Sequence, residues 1–110
     1  MIKISYDSEG DLLEVQFAQS SEPRRGIGLT DRITLFYDKN LKSPLALTVV
    51  SYAKLLALSS VPLTELLEAP EEIQKKVRES LQHQPLTRFI HLRGDVIELE
   101  DIRMSELVHP

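Results

Sequence analysis

The 110-residue sequence has no cysteine, no tryptophan and only four glycines. Without cysteine there can be no disulfide framework, no Cys-ligated zinc site and no thiol nucleophile. The longest apolar candidate, residues 45–50, includes Thr48 and falls far short of the ~20 residues of a membrane span. A basic segment followed by an apolar stretch, the pattern of a secretory leader, is also missing. We therefore expect a cytoplasmic protein that does not enter a membrane.

The composition that remains is typical of one soluble folded domain, with 42% hydrophobic and 27% charged residues. The formal net charge is −4, and the acidic excess lies in residues 61–110. A general nucleic-acid surface needs Lys and Arg side chains that neutralise several phosphates. The charge balance therefore argues against general nucleic-acid binding.

The first half of the sequence alternates between apolar and polar residues, which predicts β-strands. Residues 2–7 and 12–17 alternate around a turn that contains Gly10, so they predict an opening hairpin. Residues 18–26 predict a loop, and residues 27–37 and 45–52 predict a third and a fourth strand. Four strands joined by short loops predict an antiparallel meander.

The second half changes period and then returns to strands. Residues 53–58, 62–68 and 71–84 favour helix, and Pro85 ends the last of them. Residues 86–101 predict a second hairpin around a turn at Gly94.

These elements predict an α+β fold, with an antiparallel four-stranded meander followed by two or three helices and a C-terminal β-hairpin. We expect residues 1–110 to form a single domain. Within it, residues 1–56 form the β-meander part, and residues 57–110 form the helical segment plus the second hairpin.

Three pieces of the first half carry a family resemblance. They are Ile4-Ser5-Tyr6-Asp7 with Asp11 and Leu12-Leu13, the strand Ile33 to Asp38, and Leu45 to Tyr52 followed by Ala53-Lys54-Leu55-Leu56. Residues 1–56 thereby resemble the bacterial domain of unknown function 2283 family. The resemblance implies a small β-rich bacterial protein and makes an antitoxin-like role conceivable, and it supplies no catalytic residues.

The acidic residues of the first turn are the first candidate for a metal site. Asp7, Glu9 and Asp11 alternate, but an EF-hand loop needs glycine at its sixth position and glutamate at its twelfth. Gly10 falls at the fourth position and Ala18 at the twelfth. We expect an ordinary hairpin turn, with a weak divalent-cation site as the alternative.

The three histidines and the serines offer no catalytic pattern. His83, His91 and His109 include no pair at the i,i+4 spacing of a helical zinc site. No serine lies in a Gly-x-Ser-x-Gly motif. We predict no catalytic residue, no metal and no cofactor, and hence no enzyme. A ligand-binding or hydrolytic site between the sheet and the helices, involving His91 or Arg88, stays open.

Apolar residues after the third strand suggest an interface. Both faces of the predicted fourth strand are largely apolar, and six leucines follow within 20 residues. A sheet of this size buries one face in its own core, so the surplus predicts a homodimer, with a compact monomer as the alternative. The residues expected at this interface are Val50, Tyr52, Leu55, Leu56 and Leu58.

Arg24 and Arg25, in the predicted loop, are the candidate anion contacts. Ordinary surface ion pairing is the alternative. The sequence thus favours a non-enzymatic protein–protein interaction or self-association module. An antitoxin-like or regulatory partner protein and a small-ligand-binding domain are the alternatives.

Overall fold

The computed structural model describes residues 2–19 and 23–103, together with the backbone of 108–109. The strands of the first sheet are β1 (Lys3–Asp7), β2 (Leu12–Gln16), β3 (Arg24–Thr30), β4 (Ile33–Asp38), β5 (Pro44–Val50) and β9 (Val108–His109). The strands of the second sheet are β6 (Val61–Pro62), β7 (Ile90–Arg93) and β8 (Val96–Leu99). The α-helices are α1 (Tyr52–Leu56) and α2 (Glu71–Leu81), and short 3-10 turns span Leu66–Glu68 and Leu86–Arg88. The α+β class is therefore confirmed.

The opening hairpin is present as predicted. Strands β1 and β2 pair antiparallel from Lys3 opposite Gln16 to Asp7 opposite Leu12. The chain reverses through Asp11, whose φ of 51° lies in the left-handed region that aspartate tolerates better than most residues.

The first sheet is not a simple meander, and this part of the prediction is wrong. Its strands lie in the order β3-β4-β5-β2-β1-β9, because β5 pairs antiparallel with β2. The predicted third strand is two strands, β3 and β4, which meet at a turn through Asp31 and Arg32. Strand β3 begins at Arg24, inside the predicted loop.

The connection between β2 and β3 explains the strand order. After β2 the chain passes beyond two strand positions before it forms β3, and the next two strands return toward β2. The amides of Phe17 and Ala18 both donate to the carbonyl of Leu45, at 2.8 and 3.3 Å, which ties the start of this connection to β5.

The second sheet contains the predicted C-terminal hairpin. Strands β7 and β8 pair antiparallel around Gly94, whose φ of 62° suits glycine. The helix predicted over residues 62–68 is wrong, because Val61–Pro62 pairs with β8 and only a 3-10 turn follows. Leu63, which precedes the 3-10 turn, and Leu66, its first residue, are both fully buried.

One cluster of buried side chains joins the two halves of the chain. On the core face of the first sheet, alternate residues of each strand are buried, as period-two patterning requires. Helix α2 adds Val77 and Leu81 to the same cluster, and the second sheet adds Ile90 and Ile97. None of the described helices has the length and apolar character needed to cross a membrane.

Candidate binding surface

The face of the first sheet opposite the core is the main surface that the described chain leaves uncovered, except at Gly28, where the Glu65 side chain lies over the backbone. We call it the open face. Its members are Lys3, Ser5, Asp7, Leu12, Glu14, Gln16, Arg24, Gly26, Gly28, Thr34, Phe36, Asp38, Ala46, Thr48 and Val50. Most of them are exposed or half-buried, whereas most of the alternate residues of the same strands are buried. This pattern is typical of an antiparallel sheet with one face packed on the core and the other exposed to solvent.

Two cross-strand rows order the centre of the open face. One row runs from Lys3 through Gln16 and Ala46 to Phe36 and Gly26.

The neighbouring row runs from Ser5 through Glu14 and Thr48 to Thr34 and Gly28. Side chains in one row are direct neighbours, so the first row combines a cation and an aromatic ring, and the second carries hydroxyls and one carboxylate.

A groove of about 650 Å³ lies over β1, β2 and β5 on this face. Its open-face lining is Lys3, Ser5, Glu14, Gln16, Arg24, Ala46 and Thr48. Its size is in the range of binding pockets for small molecules and short peptides, about 300–1,000 Å³.

The Arg24 side chain forms one side of the groove and is held by an aromatic ring. Its guanidinium carbon lies 4.2 Å from the centre of the Phe36 ring, a cation–π distance. Gly26 makes room for that ring, because a Cβ there would come within 3.0 Å of Phe36 Cε1. Asp38, opposite Arg24 on β4, accepts hydrogen bonds from the amides of Lys42 and Ser43 in the adjoining turn.

The two arginines predicted as anion contacts are both exposed, but they lie on opposite sides of β3. Arg24 belongs to the open face and Arg25 to the other side, because successive residues of a strand alternate. Among the ion pairs of the described residues, neither arginine takes part. They therefore do not form one anion site.

The residues predicted for the interface are divided between the surface and the core. Val50 and Leu58 are 47% and 54% exposed, whereas Tyr52 and Leu55 are buried in the chain's own core. Leu56 is half-buried against that core. Of this group, only Val50 belongs to the open face.

A polar network closes the end of the first sheet. Asp11 Oδ1 accepts hydrogen bonds from the Tyr6 hydroxyl at 2.6 Å and from the backbone amide of Ala53 at 2.8 Å. Burial acts to raise the pKa of Asp11, but hydrogen bonds from Tyr6 and from the amides of Ala53 and Lys54 outweigh it, and the pKa is lowered. The hydrogen bond to Asp11 in turn raises the pKa of Tyr6. Asp11 therefore acts as a structural cap for α1.

Tyr52 extends this network to the second half. Its ring meets Tyr6 edge-on at 5.7 Å, and its hydroxyl donates to the carbonyl of Glu100 and accepts from the amide of Ile102. Burial raises the pKa of Tyr52. On either side of Ile102, Asp101 and Arg103 form an ion pair, and hydrogen bonds from Arg103 lower the pKa of Asp101. The network fastens the segment after β8 to the first sheet.

The other candidate residues lie apart from the groove. His91 contacts Glu100 at 2.5 Å on the second sheet, and His83 lines a separate polar depression at the end of α2. Arg88 is exposed in a 3-10 turn, and the side chain of His109 lies outside the described residues. No group of three or more potential metal ligands occurs among the described residues, Asp7, Glu9 and Asp11 included.

Most of the groove residues carry no signal in the sequence that marks them as a binding site. The alternation in the sequence correctly separates Phe36 and Thr48 from their buried neighbours, which is the available signal. Lys3 is in β1 and Arg24 is in β3, and both line the groove. Only the order of the strands in the sheet places these two residues at one site.

Together these features define an α+β fold in which the described residues cover the first sheet on one face only. Comparisons with protein-family models, curated proteins and solved structures return no match for this chain.

Proposed function

We propose that this chain is a non-enzymatic protein-binding module whose binding surface is the open face. The observation that carries the proposal is the contrast between the two faces of the first sheet. Ile33, Leu35, Leu47 and Val49 are completely buried on the core face, whereas the opposite face forms a groove that the described chain leaves unfilled.

The composition of the open face favours a reversible complex with another protein over permanent self-association. Permanent homodimer interfaces resemble a domain core and are strongly apolar. One of the two central rows of the open face instead carries Ser5, Glu14, Thr48 and Thr34, and the other includes Lys3 and Gln16.

The apolar surplus that suggested a homodimer is small in the folded chain. Leu63 and Leu66 are fully buried, Leu55 is 8% exposed, and the large hydrophobic residues left exposed among those described are Val50, Leu58 and Leu67. A homodimer through the open face remains the second candidate, because Val50 and the half-buried Leu12 and Phe36 lie there.

The resemblance of residues 1–56 to the domain of unknown function 2283 family stays a proposal. Its motif residues Tyr6, Asp11 and Tyr52 belong to the network that supports the sheet end and α1, away from the groove lining. The antitoxin-like or regulatory alternative would instead engage a basic protein through the acidic second half, residues 61–110. A variant of the open face would retain such a partner, so the same experiment separates the two proposals.

The test adds one positive charge at two matched positions. Thr48→Arg changes the centre of the open face, and Gln82→Arg changes an exposed residue at the end of α2. Tagged chains are returned to their native cells, and co-purified proteins are quantified by mass spectrometry. We expect a stoichiometric partner that Gln82→Arg retains and Thr48→Arg loses. A partner retained equally by both variants, or no stoichiometric partner at all, would contradict the proposal.

A further inference from the structure

We propose that the groove on the open face binds an extended acidic segment of a partner protein, with Arg24 and Lys3 as the two anchoring cations. This inference rests on the proposed function and specifies the chemistry of its ligand. It depends on the charge of the groove, the orientation of Arg24 and the spacing of the two cations.

The charge of the groove is opposite to that of the whole protein. The chain carries a formal net charge of −4, whereas the charged groove residues are Lys3, Arg24 and the single acid Glu14. The net charge of the chain therefore opposes the approach of an acidic segment, whereas the excess of one cation in the groove favours it. Such local complementarity gives binding specificity and faster association.

Both cations are available to a ligand within the part of the chain that the structure describes. The four ion pairs there use other residues, namely Arg78–Asp95, His91–Glu100, Arg93–Glu98 and Arg103–Asp101. The cross-strand neighbour of Lys3 is the neutral Gln16. The acidic neighbour of Arg24 is Asp38, whose carboxylate Oδ1 accepts the turn amides of Lys42 and Ser43 at 2.6 and 3.3 Å.

Arg24 is oriented before a ligand arrives. The guanidinium carbon lies over the Phe36 ring, and the N–H donors of a guanidinium lie along the edges of its plane. Those edges match a carboxylate, which can accept two parallel hydrogen bonds. Fixing the side chain in advance lowers the ordering entropy lost on binding.

The spacing of the cations defines the ligand. Phe36 marks the position of the Arg24 guanidinium, which lies over its ring. Lys3 and Phe36 lie three strand spacings apart in one row, or about 14 Å at ~4.8 Å per spacing. An extended chain rises about 3.3 Å per residue, so carboxylates at positions i and i+4 are about 13 Å apart and point to the same side. The residue at i+2 then faces Gln16 and Ala46, between the anchors. We therefore expect two acidic residues at i and i+4 with an uncharged residue midway.

The test uses blocked synthetic pentapeptides and fluorescence anisotropy with the purified full chain. The probe is Glu-Thr-Val-Thr-Glu with a terminal fluorophore, and the matched probes are Glu-Glu-Val-Thr-Thr, of equal composition, and Lys-Thr-Val-Thr-Lys. We expect the first probe to bind most tightly and the lysine probe least, with binding weakened by added salt because the contacts are exposed charge pairs.

The variants separate a specific site from general charge attraction. Arg24→Ala is expected to weaken binding about tenfold and Lys3→Ala about threefold, since each removes one charge-assisted contact. Arg25→Ala is the matched control, because it removes the same charge from the adjacent residue on the other side of β3 and should leave the affinity unchanged. Thermal unfolding followed by circular dichroism confirms that each variant is folded.

The inference would be overturned by equal losses for Arg24→Ala and Arg25→Ala, by equal binding of the two glutamate probes, or by no binding of the first probe at millimolar concentration. If capture of the cellular partner still depends on Thr48 in any of these cases, the open face stands as a binding surface and only its acidic ligand is wrong. Loss of probe binding with rising protein concentration would instead show a second copy in the groove, which also overturns the inference.

Discussion

Asp11 and Ala53, 42 positions apart in the sequence, are joined by a hydrogen bond of 2.8 Å from the backbone amide of Ala53 to Asp11 Oδ1. The acceptor lies in the turn between β1 and β2, and the donor lies in the first turn of α1. The residue before α1, Ser51, makes no side-chain cap hydrogen bond. The cap of this helix therefore comes from a distant part of the chain.

Replacing Asp11 should destabilise the protein through this cap. Asp11→Ala removes the acceptor for both the Ala53 amide and the Tyr6 hydroxyl. Loss of a cap and a partly buried hydrogen bond corresponds to about 1–2 kcal/mol in the free energy of unfolding, measured by urea denaturation at pH 7. Asp31→Ala, at an exposed residue of another turn, is the control and should change stability by less than about 0.5 kcal/mol. Equal effects would contradict the capping role.

The same carboxylate should make stability depend on pH. The pKa of Asp11 is lower in the folded chain than its ordinary value, so the unfolded chain takes up a proton first as the pH falls. Its stabilising contribution is present above the ordinary aspartate pKa of about 3.9 and is lost as the pH falls through the folded value. Asp101, whose pKa is also lowered, acts in the same direction.

Asn at position 11 provides the test of that pH dependence. The free energy of unfolding of Asp11→Asn should fall less steeply than that of the wild type as the pH is lowered below about 5, because the variant cannot titrate there. Urea midpoints collected from neutral to acidic pH give the two curves. Parallel curves would show that Asp11 contributes nothing to the acid sensitivity.

Two adjacent leucines test where the apolar surplus goes. Leu66 is fully buried and Leu67 is 44% exposed. Leu66→Ala should cost about 2–5 kcal/mol because it leaves a cavity in the core, whereas Leu67→Ala should cost less than about 1 kcal/mol. Chemical denaturation of both variants measures the difference. Similar costs would indicate that Leu67 is also buried, as in a homodimer.

Tyr52 should control the segment that follows β8. Tyr52→Phe removes the hydroxyl that donates to the Glu100 carbonyl and accepts from the Ile102 amide. Leaving these backbone groups without their partner should cost about 1–3 kcal/mol and speed hydrogen exchange at Ile102. The amide of Leu92, inside the β7–β8 pair, serves as the internal control. Unchanged exchange at Ile102 would contradict the fastening role of Tyr52.

Local sequence patterns predict much of this fold. The hairpins β1–β2 and β7–β8 follow from alternation around short turns, and α2 follows from its apolar period with Pro70 before it and Pro85 beyond it. These elements depend on neighbours in the sequence. The signals that specify them are therefore contained in short stretches of chain.

The errors concern contacts between distant residues. The pairing of β5 with β2 is set by packing of the whole sheet, and alternation alone does not specify which strands become neighbours. The helical composition of residues 62–68 is overridden because Val61 pairs with Ile97 and Leu63 enters the core. Tertiary contacts of this kind commonly outweigh helix propensity.

The candidate binding surface also depends on contacts between distant residues, which the sequence does not specify. The sequence indicates that Arg24 is a surface cation. Its contact with the Phe36 ring requires β3 and β4 to pair, and the alternation of residues 27–37 predicts only one strand there. Tyr52 and Leu55, which were predicted at the interface, are buried in the chain's own core. The hydrophobicity of Tyr52 and Leu55 indicates that they are buried, but it does not indicate whether the same chain or a partner buries them.

The most direct test of the account is solvent access to neighbouring methyl groups on the two faces of the first sheet. Val50 and Leu12 lie on the open face, and their neighbours Val49 and Leu13 are buried in the core. Methyl NMR with a soluble paramagnetic agent reports this contrast for the isolated protein. We predict strong relaxation of Val50 and Leu12, little relaxation of Val49 and Leu13, and no change in this contrast as protein concentration rises. Equal protection of all four residues in the dilute protein would contradict an open face available to a partner.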